Sequence, residues 1–210
     1  YLNGIDAIAR AEATSGSSAV KEHVCDFGSG CDGSHDHNPT PVPDNAVSMT
    51  LLRAVTGVMR NLCADDRRKN ALAADGTLLA LMRVMSRPEC LQDVSFSDNA
   101  IACLAMITLR APSNAVLICQ NGVCEFVLKC MYYHMNKDRD PNAPVTTISH
   151  APLLRQGCLL FRNIAARCPP ERDELLANTN VENVLKQVGT QYKSCVDEAY
   201  GALRDFGIEI

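Results

Sequence analysis

The sequence predicts an all-α fold built from a repeated three-helix unit, and three observations support this. A twelve-residue phrase occurs twice: residues 51–62 read LLRAVTGVMRNL and residues 153–164 read LLRQGCLLFRNI. Each copy is followed by a polar break, a short helical segment, a stop that tolerates a left-handed cap and a second amphipathic segment. A third version of this order covers residues 104–131. The stops are Asp75-Gly76, Asn121-Gly122 and Asn178-Thr179-Asn180. Three helices in about 40–47 residues is the period of a helical solenoid.

Each element is expected from its apolar spacing and from the residues that punctuate it. The long helices carry apolar side chains at three- and four-residue spacing, which predicts that both copies of the phrase are mostly buried, Val55 included. Asp44 or Asn45 is available as the N-cap of the first long helix, and Ser97 and Asp98 lie near the start of the second. The expected helices are residues 3–14, 47–63, 66–75, 77–87, 94–110, 113–121, 123–136, 150–167, 170–178, 181–192 and 195–206.

Two segments interrupt the helical pattern. Residues 15–46 are dominated by glycine, serine and proline, and residues 137–149 read KDRDPNAPVTTIS. Both fall between the second helix of a unit and the long helix that follows, so we expect them on the same edge of the array. Apart from them, residues 1–210 are expected to form a single solenoid of about three full repeats with a partial repeat at each end. We therefore expect the chain to be part of a longer array.

The composition indicates a large helical core in a reducing compartment. Apolar residues make up 47% of the chain, which is enough to bury a substantial core. No apolar run reaches the roughly 18 residues of a membrane span, and no membrane span is predicted. Most of the eleven cysteines lie in apolar helical stretches and act as small hydrophobes, as do Cys63, Cys103, Cys119, Cys130, Cys158 and Cys195. We expect a cytoplasmic protein, with a nuclear or other intracellular assembly as the alternative.

The charge of the chain is concentrated in the first interruption. The net charge is −4, and the charged residues of 15–46 account for all of it, leaving the helical body neutral. These residues are Lys21, Glu22, Asp26, Asp32, Asp36 and Asp44. A helical body without basic excess argues against a nucleic-acid partner.

The core and a neighbouring soft cluster are also predicted. Cys103, Leu104, Ile107, Cys158 and Phe161 lie on the apolar faces of long helices and should be buried. Cys119, Cys124 and Cys130, with His134 nearby, are interpreted as buried or partly buried positions of two adjacent helices. Met131, Tyr132, Tyr133 and Met135 form a cluster near the end of a helix. It belongs either to the core or, if exposed, to a patch that binds a partner.

The phrases MRNL before CADD, FRNI before AARC, and ALRDFG resemble the armadillo repeat family, most closely the C-terminal repeats of armadillo repeat-containing proteins. The resemblance covers nearly all of the chain except residues 15–46. It implies a right-handed superhelix of three-helix repeats whose long third helices line a concave groove for extended peptides or other proteins. In that family an asparagine of the third helix hydrogen-bonds the backbone of a bound peptide, and Asn61 and Asn163 stand at matching positions. Thr108 and Asp205 replace it elsewhere and the chain has no tryptophan, so it departs from the nuclear-import receptors of the family.

The predicted groove carries arginines on its long helices, although arginine is normally kept at the surface. Arg53 and Arg60 are seven residues apart and share a helix face. One interpretation is that these guanidiniums bind acidic side chains of a partner. The other is that they tie repeats together through acids such as Asp65 and Asp66. The predicted groove residues are Arg53, Arg60, Asn61, Arg155, Arg162, Asn163, Arg204 and Asp205. The predicted partner is a protein or an acidic peptide, with which the acidic segment 15–46 could compete.

One cluster has the composition of a metal site. Residues 23–37 follow the pattern H-x-C-x5-C-x3-H-x-H, and Cys25, Cys31, His35 and His37 would supply the four ligands that zinc requires. The alternative is a flexible acidic linker with incidental histidines. The sequence contains no G-x-S-x-G elbow, P-loop or G-x-G-x-x-G before a helix, so no enzymatic activity is predicted. We therefore predict a non-enzymatic interaction scaffold without a cofactor, with a zinc-binding module as the alternative.

Overall fold

The structure is a computed structural model that describes residues 48–139 and 149–209. These residues belong to one compact part of the chain, Asp44–Ile210. Every regular element in the described ranges is a helix, so the predicted all-α class is confirmed there. The expected helix at 3–14, the interruption 15–46 and the candidate zinc ligands lie outside the described residues.

The described residues form eleven α-helices and one 3-10 helix. The predicted helices in these ranges are confirmed, with ends shifted by a few residues. The α-helices are α1 (Met49–Leu62), α2 (Asp66–Ala74), α3 (Thr77–Met85), α4 (Pro88–Gln92), α5 (Val94–Thr108), α6 (Pro112–Gln120), α7 (Val123–Arg139), α8 (Ala151–Ala165), α9 (Pro169–Asn178), α10 (Val181–Gln191) and α11 (Val196–Asp205), and the 3-10 helix is Lys193–Cys195.

Two local expectations about helix ends were wrong. Helix α7 continues through Arg139, so the second interruption begins later than residue 137. Helix α1 begins directly after Ser48, too far along the chain for Asp44 or Asn45 to be its N-cap. Helix α5 is capped by Asp93, whose carboxylate accepts a hydrogen bond from the Phe96 N–H at 2.8 Å. An ionised cap of this kind satisfies a backbone donor that the helix itself cannot pair.

The left-handed cap expected between helices of each unit is present at two of the three predicted positions. Gly76 and Gly122 have φ values of +86° and +70°, the left-handed region in which glycine is strongly favoured. At the third stop Thr179 is extended, with φ −130° and ψ 171°, so the expected left-handed cap is not formed there. The short helix α4 was not predicted. It begins with Pro88 at its first turn and buries Cys90.

Helices α1, α5, α8 and α11, which correspond to the long third helices of the predicted units, pack against one another in chain order, and the other helices pack beside them. They keep the name long helices below, although α7 has 17 residues and α11 only 10. Neighbouring long helices run in the same direction, because the residue numbers of bonded partners rise together. At the first interface Arg53 bonds Asp93 and Arg60 bonds Asp98. Arg155 and Arg162 bond Glu198 and Asp205 in the same order. Between α5 and α8, Asn163 bonds Ala105, and just past the ends of both helices Cys168 bonds Pro112, again in rising order. Helices α1 and α8, which carry the repeated phrase, therefore run in the same direction.

The core follows α5 and α8, the two long helices that have a long helix on either side. All five predicted core residues, from Cys103 to Phe161, are fully buried. Burial raises the pKa of the Cys158 thiol, which keeps it neutral and suits it to an apolar core. The Sγ atoms of Cys63 and Cys103 lie 3.3 Å apart between α1 and α5.

The expectation that α1 is mostly buried was wrong. Leu51, Val55 and Val58 are 56%, 46% and 58% exposed. Their counterparts on α8 are covered because α8 lies between α5 and α11, whereas α1 has a long helix on only one side within the described residues. Amphipathic spacing identifies an apolar face, but its burial depends on the next unit.

Among the described residues, no single helix is long and apolar enough to cross a membrane. Helices α6 and α7 pass the length and composition criteria only as a pair, and they meet at a bend of 76°.

Candidate interaction surface

The first predicted groove arginine, Arg53, is bound to the next long helix. Its Nε lies 3.1 and 3.0 Å from the two carboxylate oxygens of Asp93, and Nη2 contacts the same carboxylate. Burial disfavours the ionised carboxylate, but the bonds from Arg53 and from the Phe96 and Ser95 N–H groups outweigh it and lower the pKa of Asp93. One carboxylate thus caps α5 and holds α1 against it.

Arg60 makes a second link to α5. Its Nη1 donates to Asp98 Oδ2 at 3.1 Å and to Asn99 Oδ1 at 3.3 Å. The other oxygen of Asp98 is buried and has no hydrogen-bond partner in the described part of the chain. Burial raises the pKa of Asp98 although Arg60 acts in the opposite direction. The two links therefore differ in their effect on the carboxylate. The contacts of Asp93 stabilise its ionised form, whereas the burial of Asp98 destabilises its ionised form.

The interface between α8 and α11 repeats the arrangement. Arg155 pairs with Glu198 at 3.3 Å and also donates to the Ser194 carbonyl. Arg162 Nε lies 3.1 Å from Asp205 Oδ2. Its guanidinium passes over Gly201, where an added Cβ would lie 3.2 Å from Nη1 and 3.3 Å from Cζ. The absence of a side chain at this position gives the arginine room to reach across.

The middle interface, between α5 and α8, has no such arginine pair among the described residues. The positions of α5 that match Arg53 and Arg60 are Ala100 and Ile107, and both are fully buried. Asn163 donates instead to the Ala105 carbonyl at 2.9 Å and to Thr108 Oγ1 at 3.3 Å. Its amide is therefore used between helices, whereas Asn61 on α1 is exposed.

The arginines thus tie successive units together, as one of the two interpretations held, but through other acids than expected. Asp65 accepts hydrogen bonds from the Arg67 and Arg68 N–H groups and caps α2. Asp66 pairs with Lys69 at 2.7 Å. The actual partners lie 38 to 43 residues further along the chain, about one unit away. The four arginine side chains nevertheless remain 38–47% exposed, so they also line an accessible surface.

Lys69 is a buried side chain that joins α2 to the end of α5, and the sequence did not predict it. Its side chain is only 3% exposed, and its Nζ contacts the Leu109 carbonyl, just past the end of α5, as well as Asp66. It donates to a carbonyl that α5 itself cannot pair. The run Arg67–Asn70 is polar throughout, so nothing in the local sequence distinguishes the buried lysine from its exposed neighbours.

A polar cluster joins α7, α8 and the end of α10. His150 Nδ1 bonds one oxygen of Asp138, and the Tyr192 hydroxyl donates to the other at 2.7 Å. The ring of His134 lies 4.9 Å from that of His150, and its Nε2 is 2.9 Å from the Leu91 carbonyl. Burial and then the neighbouring His150 lower the pKa of His134 to about 4. A neutral His134 donates from Nε2 to the carbonyl and so fixes α4 against α7.

A surface cleft of about 570 Å³ opens beside this cluster, between α4 and α7. The four residues predicted to form either core or an exposed patch are divided between the two. Met131 and Met135 are fully buried, whereas Tyr132 is 50% exposed and Tyr133 is half-buried. The cleft is lined by Leu91, Lys129, Tyr132, Tyr133, Asn136 and Lys137.

Within residues 48–139 and 149–209, no group of three or more His, Cys, Asp or Glu side chains is arranged to hold a metal ion. The predicted zinc ligands lie outside these ranges, so the zinc hypothesis stays a prediction.

No family model, curated protein or solved structure matches the chain. The function is therefore inferred from the residues and their contacts. Their main pattern is the ordered stacking of long helices linked by arginines.

Proposed function

We propose that the chain is part of a right-handed armadillo-type solenoid that acts as a non-enzymatic protein-interaction scaffold in the cytoplasm or another intracellular assembly. The observation that carries this is the chain-order stacking of α1, α5, α8 and α11. Each of the last three follows two or more other helices of its own unit. Units that contact mainly their neighbours build an extended surface rather than an enclosed pocket. An extended surface suits a peptide or a protein better than a small substrate.

The proposed contact surface consists of the exposed parts of the long helices. A guanidinium has five N–H donors, and Arg162 uses only Nε in its ion pair with Asp205. Arg60 uses only Nη1. The remaining donors can bind carboxylates or carbonyls of a partner without breaking the links between units. Asn61 and Arg204 are exposed at the two ends of the surface and complete it.

The test uses a fluorescein-labelled decaglutamate peptide and fluorescence anisotropy. Arg204→Glu should weaken binding by at least about two- to fivefold, since an exposed ion pair contributes up to about 1 kcal/mol. Arg83→Glu on α3, also exposed, is the matched control and should change only the general electrostatic attraction. Equal losses in the two variants would mean that the peptide responds to net charge and not to this surface.

A deletion tests the role proposed for the acidic segment. Removing residues 16–43 should tighten binding of the same peptide, because these residues carry a charge of −3 out of the net −4 of the chain. The gain should shrink at high salt, where charges are screened beyond about 3–8 Å. An unchanged affinity and salt dependence would show that the segment does not compete for the surface.

The alternative function is a zinc-binding module at Cys25, Cys31, His35 and His37, which the residue types and their pattern favour. Metal analysis of the purified chain before and after a chelator distinguishes the two proposals. A module of this kind should retain close to one zinc per chain, and Cys25→Ser with Cys31→Ser should abolish it. A scaffold without a metal site should give background zinc in both proteins.

A further inference from the structure

Helix α7 has one face that the long-helix surface does not use. Lys129, Tyr132, Tyr133, Asn136 and Lys137 recur at the three- and four-residue spacing that places side chains on one side of a helix. The other side of α7 is buried and includes Cys130, Met131, His134 and Met135. Tyr132 is 50% exposed, in contrast to the buried residues on the other side of the helix.

The facing wall of the cleft is held in place. Leu91 belongs to α4, and its carbonyl accepts the hydrogen bond from His134 Nε2 at 2.9 Å. Because the pKa of His134 is about 4, the ring stays neutral near pH 7 and keeps this bond. The cleft has a volume of about 570 Å³ and is a groove open to solvent rather than an enclosed pocket. The site is thus formed without a partner, which reduces the ordering that binding would require.

The charge of the cleft has one sign. Lys129 and Lys137 are exposed, and none of the six described residues that line the cleft is acidic. The nearest acid in sequence, Asp138, is already bound by His150 and Tyr192. Lys137 Nζ lies 5.9 Å from the centre of the Tyr133 ring, so the cation also borders the aromatic surface.

We propose that the cleft between α4 and α7 is a docking site for an acidic peptide segment of a partner protein that carries one large apolar side chain. The apolar side chain packs against Leu91 and Tyr132, and flanking carboxylates bind Lys129 and Lys137. Tyrosine is enriched in protein interfaces because it contributes apolar area together with a polar group. Lysine, a point charge on a flexible stem, accepts carboxylates over a range of positions. This site lies on the second helix of its unit and is separate from the arginine surface.

A single-stranded nucleic acid is the main competing occupant, since bases stack on tyrosine and lysine binds phosphate. Two lysines are few for a backbone that must be tracked over several phosphates. The helical body as a whole also has no basic excess. The acidic peptide is therefore the better match.

The experiment selects peptides from a displayed library of random dodecamers against the whole chain and measures the enriched peptides by fluorescence anisotropy. Four proteins are compared with wild type: Tyr132→Ala, the double variant Lys129→Glu/Lys137→Glu, Arg167→Glu and Arg204→Glu. Arg167 is exposed beyond the far end of α8 from His150, so its reversal controls for general electrostatic attraction, at half the charge change of the double lysine variant. Circular dichroism checks that each variant keeps its helical content.

The expected result is enrichment of peptides in which Asp and Glu flank a Leu, Ile, Met or Phe. Their affinity should fall at least about tenfold in Tyr132→Ala and in the double lysine variant, and by less than about twofold in Arg167→Glu. Raised salt should weaken binding to wild type more than to the double lysine variant.

Three outcomes would overturn the proposal. One is the absence of any enriched peptide, and another is enriched peptides whose binding survives both cleft variants. The third is Tyr132-dependent binding of a labelled oligo-uridine that exceeds the binding of every peptide. Peptides that lose affinity only in Arg204→Glu would support the long-helix surface and contradict the cleft, so the two proposals can fail separately.

Discussion

Replacing Gly157 by alanine should destabilise the protein, whereas the same change at Gly57 should stabilise it. Both glycines lie inside long helices, Gly57 in α1 and Gly157 in α8. An ideal Cβ at Gly157 would lie 2.9 Å from Met131 Cε and 3.0 Å from its Cγ, and nearer still to the sulfur. A Cβ at Gly57 would meet only Asn99 Nδ2, at an ordinary 3.6 Å. The two substitutions therefore share their backbone effect and differ in the space available.

The magnitudes follow from these two terms. Alanine in place of glycine inside a helix stabilises by about 0.5–1 kcal/mol. Overpacking a filled core costs about 1–3 kcal/mol, and Met131 is fully buried, so its side chain has little room to move aside. Gly57→Ala should raise the free energy of unfolding by about 0.5–1 kcal/mol. The difference between the two variants, in which the helix term cancels, should be about 1–3 kcal/mol.

Urea denaturation followed by circular dichroism at 222 nm measures both variants, with the slope of the transition checked for constancy. A third variant isolates the contact: in a Met131→Ala background, Gly157→Ala should become neutral or stabilising, since the overlapping atoms are gone. Equal effects of the two glycine substitutions in the wild-type background would refute the close packing of α7 against α8. So would a cost of Gly157→Ala that remains after Met131 is shortened.

The other predictions concern the core and the ion pairs. Phe161→Ala should cost about 3–5 kcal/mol in chemical denaturation, because the ring is fully buried on α8, and a loss below about 1 kcal/mol would show that the ring is not core. Asp93→Asn should lower the stability at pH 7 by less than about 1 kcal/mol. The pKa of Asp93 is lowered in the folded protein, so its carboxylate stabilises the fold above a pH of about 3.9, and this stabilisation is lost as the pH falls through the folded pKa. Asp98→Asn should raise the stability at pH 7. The pKa of Asp98 is raised in the folded protein, so its ionised carboxylate destabilises the fold above that pKa, and the destabilisation is relieved as the pH falls through it. Stability curves from pH 3 to pH 8 test both, and a loss of stability in Asp98→Asn at pH 7 would contradict the strained carboxylate.

Much of the candidate surface could be predicted because its residues recur. The phrase repeated in α1 and α8 placed Arg53, Arg60, Arg155 and Arg162 on long helices before any contact was known. The acids that bind them could not be chosen from sequence, because they lie on the next long helix and depend on the register of the stack. Proximity along the chain favoured Asp65 and Asp66 as the acids that bind the arginines, but Asp65 instead caps α2.

The exposure of Tyr132 on α7 was predicted only as one of two alternatives, and the cleft itself was not predicted. Spacing places Tyr132 and Tyr133 near one side of the helix and Met131 and Met135 near another, but it does not say which side a neighbour covers. That depends on α4, a five-residue helix too short to produce a periodic signal, and on the bond from His134 to Leu91.

The sequence by itself determined the all-helical class, the order of the helices and the buried faces of α5 and α8. These properties are local: apolar residues at a period of 3.6, with glycine and polar stops, specify a helix and its apolar stripe within a few turns. Only the tertiary structure decided that Val55 stays exposed, that Lys69 is buried and that Arg53, Arg60, Arg155 and Arg162 are already paired. Those outcomes depend on what packs against or bonds to each side chain from a unit about 40 residues away, and the spacing within one helix carries no information about that.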